Sequence, residues 1–107
     1  MEEHGSVRIH PGGDTVEVSG CADLNSADDL DAAIGTLSRL HERVLIDLNQ
    51  VTLVDSRVIA VLASWTNRLR ARGGSMPIVC SNPNVHRLFQ LMGLDQEFEF
   101  LRSRPGA

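Results

Sequence analysis

Hydrophobic and polar residues alternate strictly near the start of the chain. Residues 6–10 and 15–19 place every second side chain on an apolar face, which is typical of strands with one buried side. The turn cluster Pro11-Gly12-Gly13-Asp14 separates the two segments. The pattern therefore predicts a β-hairpin whose second strand ends at Gly20.

The next segment changes to helical spacing. Asn25 and Ser26 are suitable N-cap residues, and Asp28 and Asp29 would lie in the first turn, where negative charge is favourable. The apolar residues of the predicted buried face are Leu30, Ala33, Ile34 and Leu37. A nearly continuous apolar run at 43–48 then predicts a strand buried on both sides, and 49–54 is interpreted as its connection to a second helix.

The second half repeats this alternation of helix and strand. A second helix is predicted to follow Asp55-Ser56 and to end at Gly73-Gly74. Its predicted buried stripe is Val58, Val61, Leu62, Trp65 and Leu69. A strand at 76–80, a third helix ending at Gly93 and a closing strand at 97–101 complete the pattern. The residues predicted to be buried by the third helix are Val85, Leu88, Phe89 and Met92.

The resulting element order is β-β-α-β-α-β-α-β. Alternating strands and helices predict an α/β fold with a mixed, mainly parallel β-sheet, because the opening hairpin makes one strand antiparallel. The length of 107 residues suits a single domain at 1–107. We expect its core to span about 7–101, and 102–107 to be a polar tail that frays.

Composition excludes several classes of function. The net charge of −4 argues against nucleic acid as a partner, since a phosphate-binding surface needs clustered positive charge. No apolar run approaches the roughly 20 residues of a membrane span, and Met1–Gly5 lacks the features of a signal peptide, so we expect a cytoplasmic protein without membrane insertion. The four histidines have no metal-binding spacing, and no catalytic or nucleotide-binding motif is present. We therefore expect no metal, no cofactor and no enzymatic activity.

Two further features have both a structural and a functional interpretation. Cys21 and Cys80 are about sixty residues apart, and they are either free buried thiols or a redox-sensing disulfide. Asp55-Ser56 precedes the second helix, where either residue can act as a simple cap. The same position presents the Ser56 hydroxyl at the positive end of a helix dipole, where a phosphoryl group is electrostatically favoured.

Several co-linear segments resemble the STAS domain of anti-sigma-factor antagonists. The similarity extends from about Val7 to Phe100. The segments that carry it are Arg43–Leu48, Val51–Ser56, Arg70–Gly74, Asn82–Phe89, Met92–Leu94 and Gly20–Asp23. In that family a hydrophobic strand, a short loop and an apolar pair lead to Asp-Ser, as they do here.

The resemblance implies a regulator that switches partners in bacterial transcription control. Such an antagonist binds an anti-sigma factor that is also a serine kinase, and phosphorylation of the serine weakens the complex. By residue match, Ser56 is the phosphoacceptor, Asp55 is the acid before it, and Asp23 is the acid of an earlier loop. With Arg57, these residues form the expected partner-binding site.

This chain departs from the family pattern at three positions. Arg57 and Val58 stand where the family usually has Ser or Thr and then Gly, and Cys21 replaces a Glu of the first loop. Two alternatives follow: a constitutive adaptor subunit of a transporter or signalling complex that is not phosphorylated, and a redox-sensing STAS protein that uses Cys21 and Cys80. The oligomeric state is left open by the sequence.

Overall fold

The computed structural model describes residues 5–10 and 13–104, which form five strands and three helices in the predicted order. In chain order they are β1 (Ser6–Ile9), β2 (Thr15–Ala22), α1 (Leu24–Ser38), β3 (Leu45–Val54), α2 (Ser56–Ala71), β4 (Ile78–Val79), α3 (Pro83–Leu91) and β5 (Phe100–Leu101). The predictions for Met1–His4, Pro11-Gly12 and residues 105–107 fall outside the described residues.

The five strands form one sheet in the order β1-β2-β3-β4-β5. β1 is antiparallel to β2, and the other neighbouring pairs are parallel. This arrangement confirms the predicted mixed, mainly parallel sheet. Val16, Ile46, Ile78 and Phe100 occupy matching register positions, so their side chains share one face of the sheet.

All three helices pack on that face. Leu30 of α1, Leu62 of α2 and Phe89 of α3 are fully buried in the same hydrophobic cluster as Val16 and Ile46. Burying each such side chain contributes roughly 1.5–3 kcal/mol. The molecule therefore has two layers, a helical layer and a sheet, with the core between them.

The opposite face of the sheet carries a charged cluster. Glu17 and Asp47 are register partners there, and Asp47 is only 5% exposed. Arg104 donates from Nε to Asp47 Oδ2 at 2.5 Å and from a terminal nitrogen to Glu17 Oε2 at 2.7 Å. His10 lies within 3.3 Å of the same Glu17 oxygen. We call His10, Glu17, Asp47 and Arg104 the Arg104 cluster.

Electrostatics in the Arg104 cluster favour the charged forms of Glu17 and Arg104. Burial raises the pKa of the Glu17 carboxyl, but the hydrogen bond with His10, the positive charge of Arg8 and the hydrogen bond from Arg104 together outweigh burial, so the pKa lies below its ordinary value. The hydrogen bond to Asp47 raises the pKa of Arg104. Arg104, which lies in the segment expected to fray from Arg102 onward, is thus bonded to Asp47 and Glu17 across the sheet.

Two predicted boundaries in the sheet are wrong. β2 continues past Gly20 to Ala22, and β3 continues through 49–54, the segment interpreted as a connection. These two extensions pair with each other, because Gly20 is the register partner of Val51 and Ala22 that of Val54. The pairing is irregular, with register shifts on both sides of Gly20, whose φ is 71°. The bulged geometry hides the strand from a simple alternation pattern.

Other differences concern the ends and faces of elements. β4 and β5 are shorter than the predicted strands at 76–80 and 97–101. On α2 the buried residues are Val58, Ile59, Leu62, Thr66 and Leu69. Val61 and Trp65 are instead half-buried at the margin of the core. Leu88 is likewise half-buried, and Met92, the C-cap of α3, is 40% exposed.

Candidate functional site

The carboxyl ends of β2 and β3 place two helix starts side by side. Ala22 and Val54 are register partners at these strand ends. The Asp55 N–H donates to the Ala22 carbonyl at 2.8 Å. Asp23 and Asp55, which follow the two strands, are therefore neighbouring residues that begin α1 and α2. In open α/β sheets this edge is where ligands and partners usually bind.

Asp55 is the N-cap of α2. Its extended backbone, with φ −78° and ψ 149°, lets its Oδ1 accept from the Arg57 N–H at 2.8 Å. Its carbonyl accepts from the Val58 N–H at 3.0 Å. Ser56 is the first residue of the helix and is exposed to solvent. The structure thus presents the Ser56 hydroxyl at the positive end of the α2 dipole.

Asp23 is the N-cap of α1, so the expectation that Asn25 or Ser26 caps this helix is wrong. Asp23 Oδ1 accepts from the Asn25 N–H at 3.1 Å, the Ser26 N–H at 3.2 Å and the Ser26 hydroxyl at 3.3 Å. The backbone N–H of Ser26 is the largest cause of a lowered pKa at Asp23. A carboxylate is consequently held ionised beside Asp55 and Ser56.

Arg57 and Val58, two of the three departures from the family pattern, differ in their exposure to solvent. Arg57 is exposed, and within residues 5–10 and 13–104 its guanidinium forms no hydrogen bond or ion pair. Val58 is fully buried in the core. The branched side chain of Val58 therefore does not stand on the surface, and Arg57 alone changes its chemistry.

Leu53 was missed by sequence reasoning. It is 67% exposed near the end of β3, three residues before Ser56. Its register partner is Cys21, so both border the helix starts from the open face of the sheet. Because residues 49–54 were interpreted as a connection, Leu53 was not predicted to lie on this surface. We call Asp23, Leu53, Asp55, Ser56 and Arg57 the helix-start surface.

The two cysteines do not form a disulfide in this fold. Both are free, Cys21 half-buried in β2 and Cys80 1% exposed just after β4. β3 lies between their strands. Because Cys21 is opposite Leu53 and Val79 is opposite Asp47, the two cysteines are also displaced along the sheet. Strand spacings place their Cα atoms more than about 15 Å apart, beyond the roughly 7 Å limit for a disulfide.

The chemistry of the cysteines follows from their positions. Burial raises the pKa of the Cys80 thiol. Cys21 belongs to strand β2 and not to a loop, contrary to the expectation. The hypothesis of a redox switch that joins Cys21 to Cys80 is thus incompatible with the register of the sheet.

The part of the chain that the structure describes contains neither a candidate metal site nor a membrane-spanning helix. No group of three or more His, Cys, Asp or Glu side chains there could hold a metal ion. Among the three helices, none has the length and apolar content that crossing a membrane requires.

Comparisons with known proteins agree with this geometry. A family model described as Mlab, STAS domain matches residues 6–103. An anti-sigma F factor antagonist from Paenibacillus polymyxa is 31% identical over 98 residues, which cover 88% of this chain and 77% of the relative. The crystal structure of an anti-sigma factor antagonist from Mycobacterium paratuberculosis superposes with a TM-score of 0.77 at 28% identity, over 95% of this chain and 87% of that one.

A more distant structure shares the fold. The anti-sigma factor antagonist SpoIIAA in its unphosphorylated form has a TM-score of 0.71 at 17% identity, over 94% of this chain and 90% of that one. The family match spans nearly all of the described residues, including both helix starts. The chain belongs to the STAS domain family.

Proposed function

We propose that this protein is an anti-sigma factor antagonist that acts by binding a partner protein through the helix-start surface. The observation that carries the proposal is the exposed Ser56 at the start of α2, directly beside two capping carboxylates. Relatives at 31% and 28% identity are named as anti-sigma factor antagonists. The partner is then an anti-sigma factor, and the antagonist works by binding, without catalysis, in the cytoplasm.

The finer part of the proposal is regulation by phosphorylation. The partner is also a serine kinase, and Ser56 is the residue that it modifies. A phosphoryl group adds about 1.5–2 negative charges at neutral pH. Added beside Asp23 and Asp55, this charge makes the surface strongly acidic and weakens its complex with the partner. Within the described residues the Arg57 guanidinium has no partner, so it can donate to the oxygens of a phosphoryl group on Ser56.

A binding experiment tests the first part. The partner is captured from native cell extract on the immobilised full chain and identified by mass spectrometry. Calorimetry then measures its affinity for the wild type and for Ser56→Asp. We expect Ser56→Asp to weaken binding at least about tenfold. Ser64→Asp is a matched control, since Ser64 is also an exposed serine on α2, and it should bind like the wild type.

A kinase assay tests the second part. The purified partner and ATP are incubated with the wild type and with Ser56→Ala, and the phosphorylated residue is located by mass spectrometry. Phosphate on Ser56, and its loss in Ser56→Ala, support the proposal. A partner that binds tightly but leaves Ser56 unmodified contradicts the kinase step while leaving the binding role intact.

The adaptor hypothesis is the second candidate, and Arg57 favours it. A permanently positive side chain next to Ser56 can serve a constitutive interface that needs no phosphate. In that case Ser56→Asp binds as tightly as the wild type, whereas Arg57→Ser weakens binding. The same calorimetric series therefore separates the two functions.

A further inference from the structure

The outer face of α1 carries opposite charges at its two ends. Asp28, Ala32, Gly35 and Arg39 lie on one stripe of the helix; Gly35 is half-buried and the other three are exposed. Asp28 and Arg39 are eleven positions apart, which at about 100° per residue brings them to within about 20° of each other around the helix axis. They are roughly 16 Å apart along it. The stripe is acidic near the start of α1 and basic near its end.

The middle of this stripe contains only small side chains, beside a fixed tryptophan. A Cβ atom on Gly35 would lie 3.5 Å from Trp65 Cζ2, so the indole packs against the stripe from α2. Trp65 Nε1 donates to Asp31 Oδ1 at 2.6 Å, and the Arg68 guanidinium stacks 4.4 Å from the ring centroid. A helix of another molecule can therefore approach α1 closely, with the Trp65 ring on one side of the contact.

The two charged residues are free to pair with another molecule. Among the described residues, neither Asp28 nor Arg39 takes part in an ion pair. When two copies of α1 pack antiparallel about a twofold axis, Asp28 of each copy faces Arg39 of the other. Antiparallel packing also opposes the two helix dipoles, which is favourable. The stripe is thus complementary to itself, the property that a symmetric dimer interface requires.

We propose that this face, formed by Asp28, Ala32, Gly35, Arg39 and the bordering Trp65, binds a second copy of the chain. The dimer is held by two symmetric Asp28–Arg39 pairs around a centre of small residues. The proposal is independent of the function proposed for Ser56, because it uses a different face and requires no other protein.

Charge reversal tests the pairing directly. Sedimentation velocity up to near-millimolar concentration measures the dissociation constant of the wild type, Asp28→Arg, Arg39→Asp and the double variant. Each single reversal turns two attractions into two repulsions, so we expect the dimer to weaken at least about tenfold. The double variant, and an equimolar mixture of the two single variants, should dimerise like the wild type because both pairs are restored.

Matched controls separate the interface from general charge effects. Asp29→Arg makes the same change one residue away, about 100° around the helix, and should leave the dissociation constant unchanged. Arg87→Asp is the corresponding control at an exposed arginine of α3. Circular dichroism verifies that each variant is folded. A wild type that stays monomeric throughout, or a dimer unaffected by both single reversals, would overturn the proposal.

Discussion

Replacing Arg104 by alanine removes the cation that neutralises a buried carboxylate on the open face of the sheet. Asp47 is 5% exposed and would keep one hydrogen bond, from the Asn49 N–H at 2.9 Å. Breaking a fully buried ion pair costs about 3–5 kcal/mol. The Arg104 side chain is 29% exposed, so water can enter the space that it leaves and solvate Asp47. We therefore expect a loss of about 2 kcal/mol in the free energy of unfolding.

Urea denaturation followed by circular dichroism measures this loss. The midpoint should fall while the slope of the unfolding free energy against urea stays constant. A loss of this size corresponds to a decrease in Tm of roughly 10 °C for a domain of this length. Arg102→Ala is the matched control, since Arg102 is exposed and pairs with no carboxylate in the described residues, and it should change stability by less than about 0.5 kcal/mol.

The pH dependence provides a second measurement. Because the pKa of Glu17 is lowered in the folded state, its contribution is fully present above the carboxyl's unfolded pKa and is lost as the pH falls through the folded value. Arg104→Ala removes one of the groups that lower this pKa, so its stability should fall less steeply in acid than that of the wild type. If Arg104→Ala and Arg102→Ala had the same stability, the Arg104 side chain would contribute nothing to stability and the reasoning would be refuted.

Three other predictions follow from the caps, the core and the thiols. Asp23→Ala should lower the midpoint of urea unfolding at neutral pH, because it removes the N-cap of α1. The difference in stability between this variant and the wild type should shrink as the pH falls through the lowered pKa of Asp23. A difference in stability that persists in acid would contradict the capping role. Phe89→Ala should cost about 3–5 kcal/mol in urea unfolding, because the fully buried ring makes edge-on contacts with Phe98 and Phe100. Leu91→Ala, at a residue that is 74% exposed, is its near-neutral control. In variants that keep only one cysteine, the other being changed to serine, Cys80 should react with a disulfide reagent more slowly than Cys21. The reason is that burial shields the Cys80 thiol and raises its pKa. Equal reaction rates would argue against the described burial.

The fold was accessible from the sequence because its main patterns are local. The hairpin alternation, the helical stripes and the glycine stops Gly73 and Gly93 predicted the element order and the mixed sheet. Both glycines have positive φ, at 79° and 70°, as the predicted helix ends require. The position of Ser56 at a helix start was also predictable, since Asp-Ser after an apolar segment is a cap pattern.

What the sequence concealed depends on contacts between distant residues. The second half of β3 is a strand only because the irregular end of β2 pairs with it, and that pairing left Leu53 unrecognised. Arg104 was assigned to a fraying tail because nothing local indicates that it reaches Asp47, 57 residues earlier. The side-by-side position of Asp23 and Asp55 likewise follows from strand register, which no local pattern specifies.

The backbone hydrogen bond between Asp55 and Ala22 joins a helix start directly to a neighbouring strand end. With both helices also capped at this edge, the loops there have little conformational freedom to lose when a partner docks. In the function proposed above, this bonding reduces the rearrangement that partner binding requires. On that proposal, the affinity is set by the charges and shapes already present at this edge, and a single charge added at Ser56 alters the affinity directly.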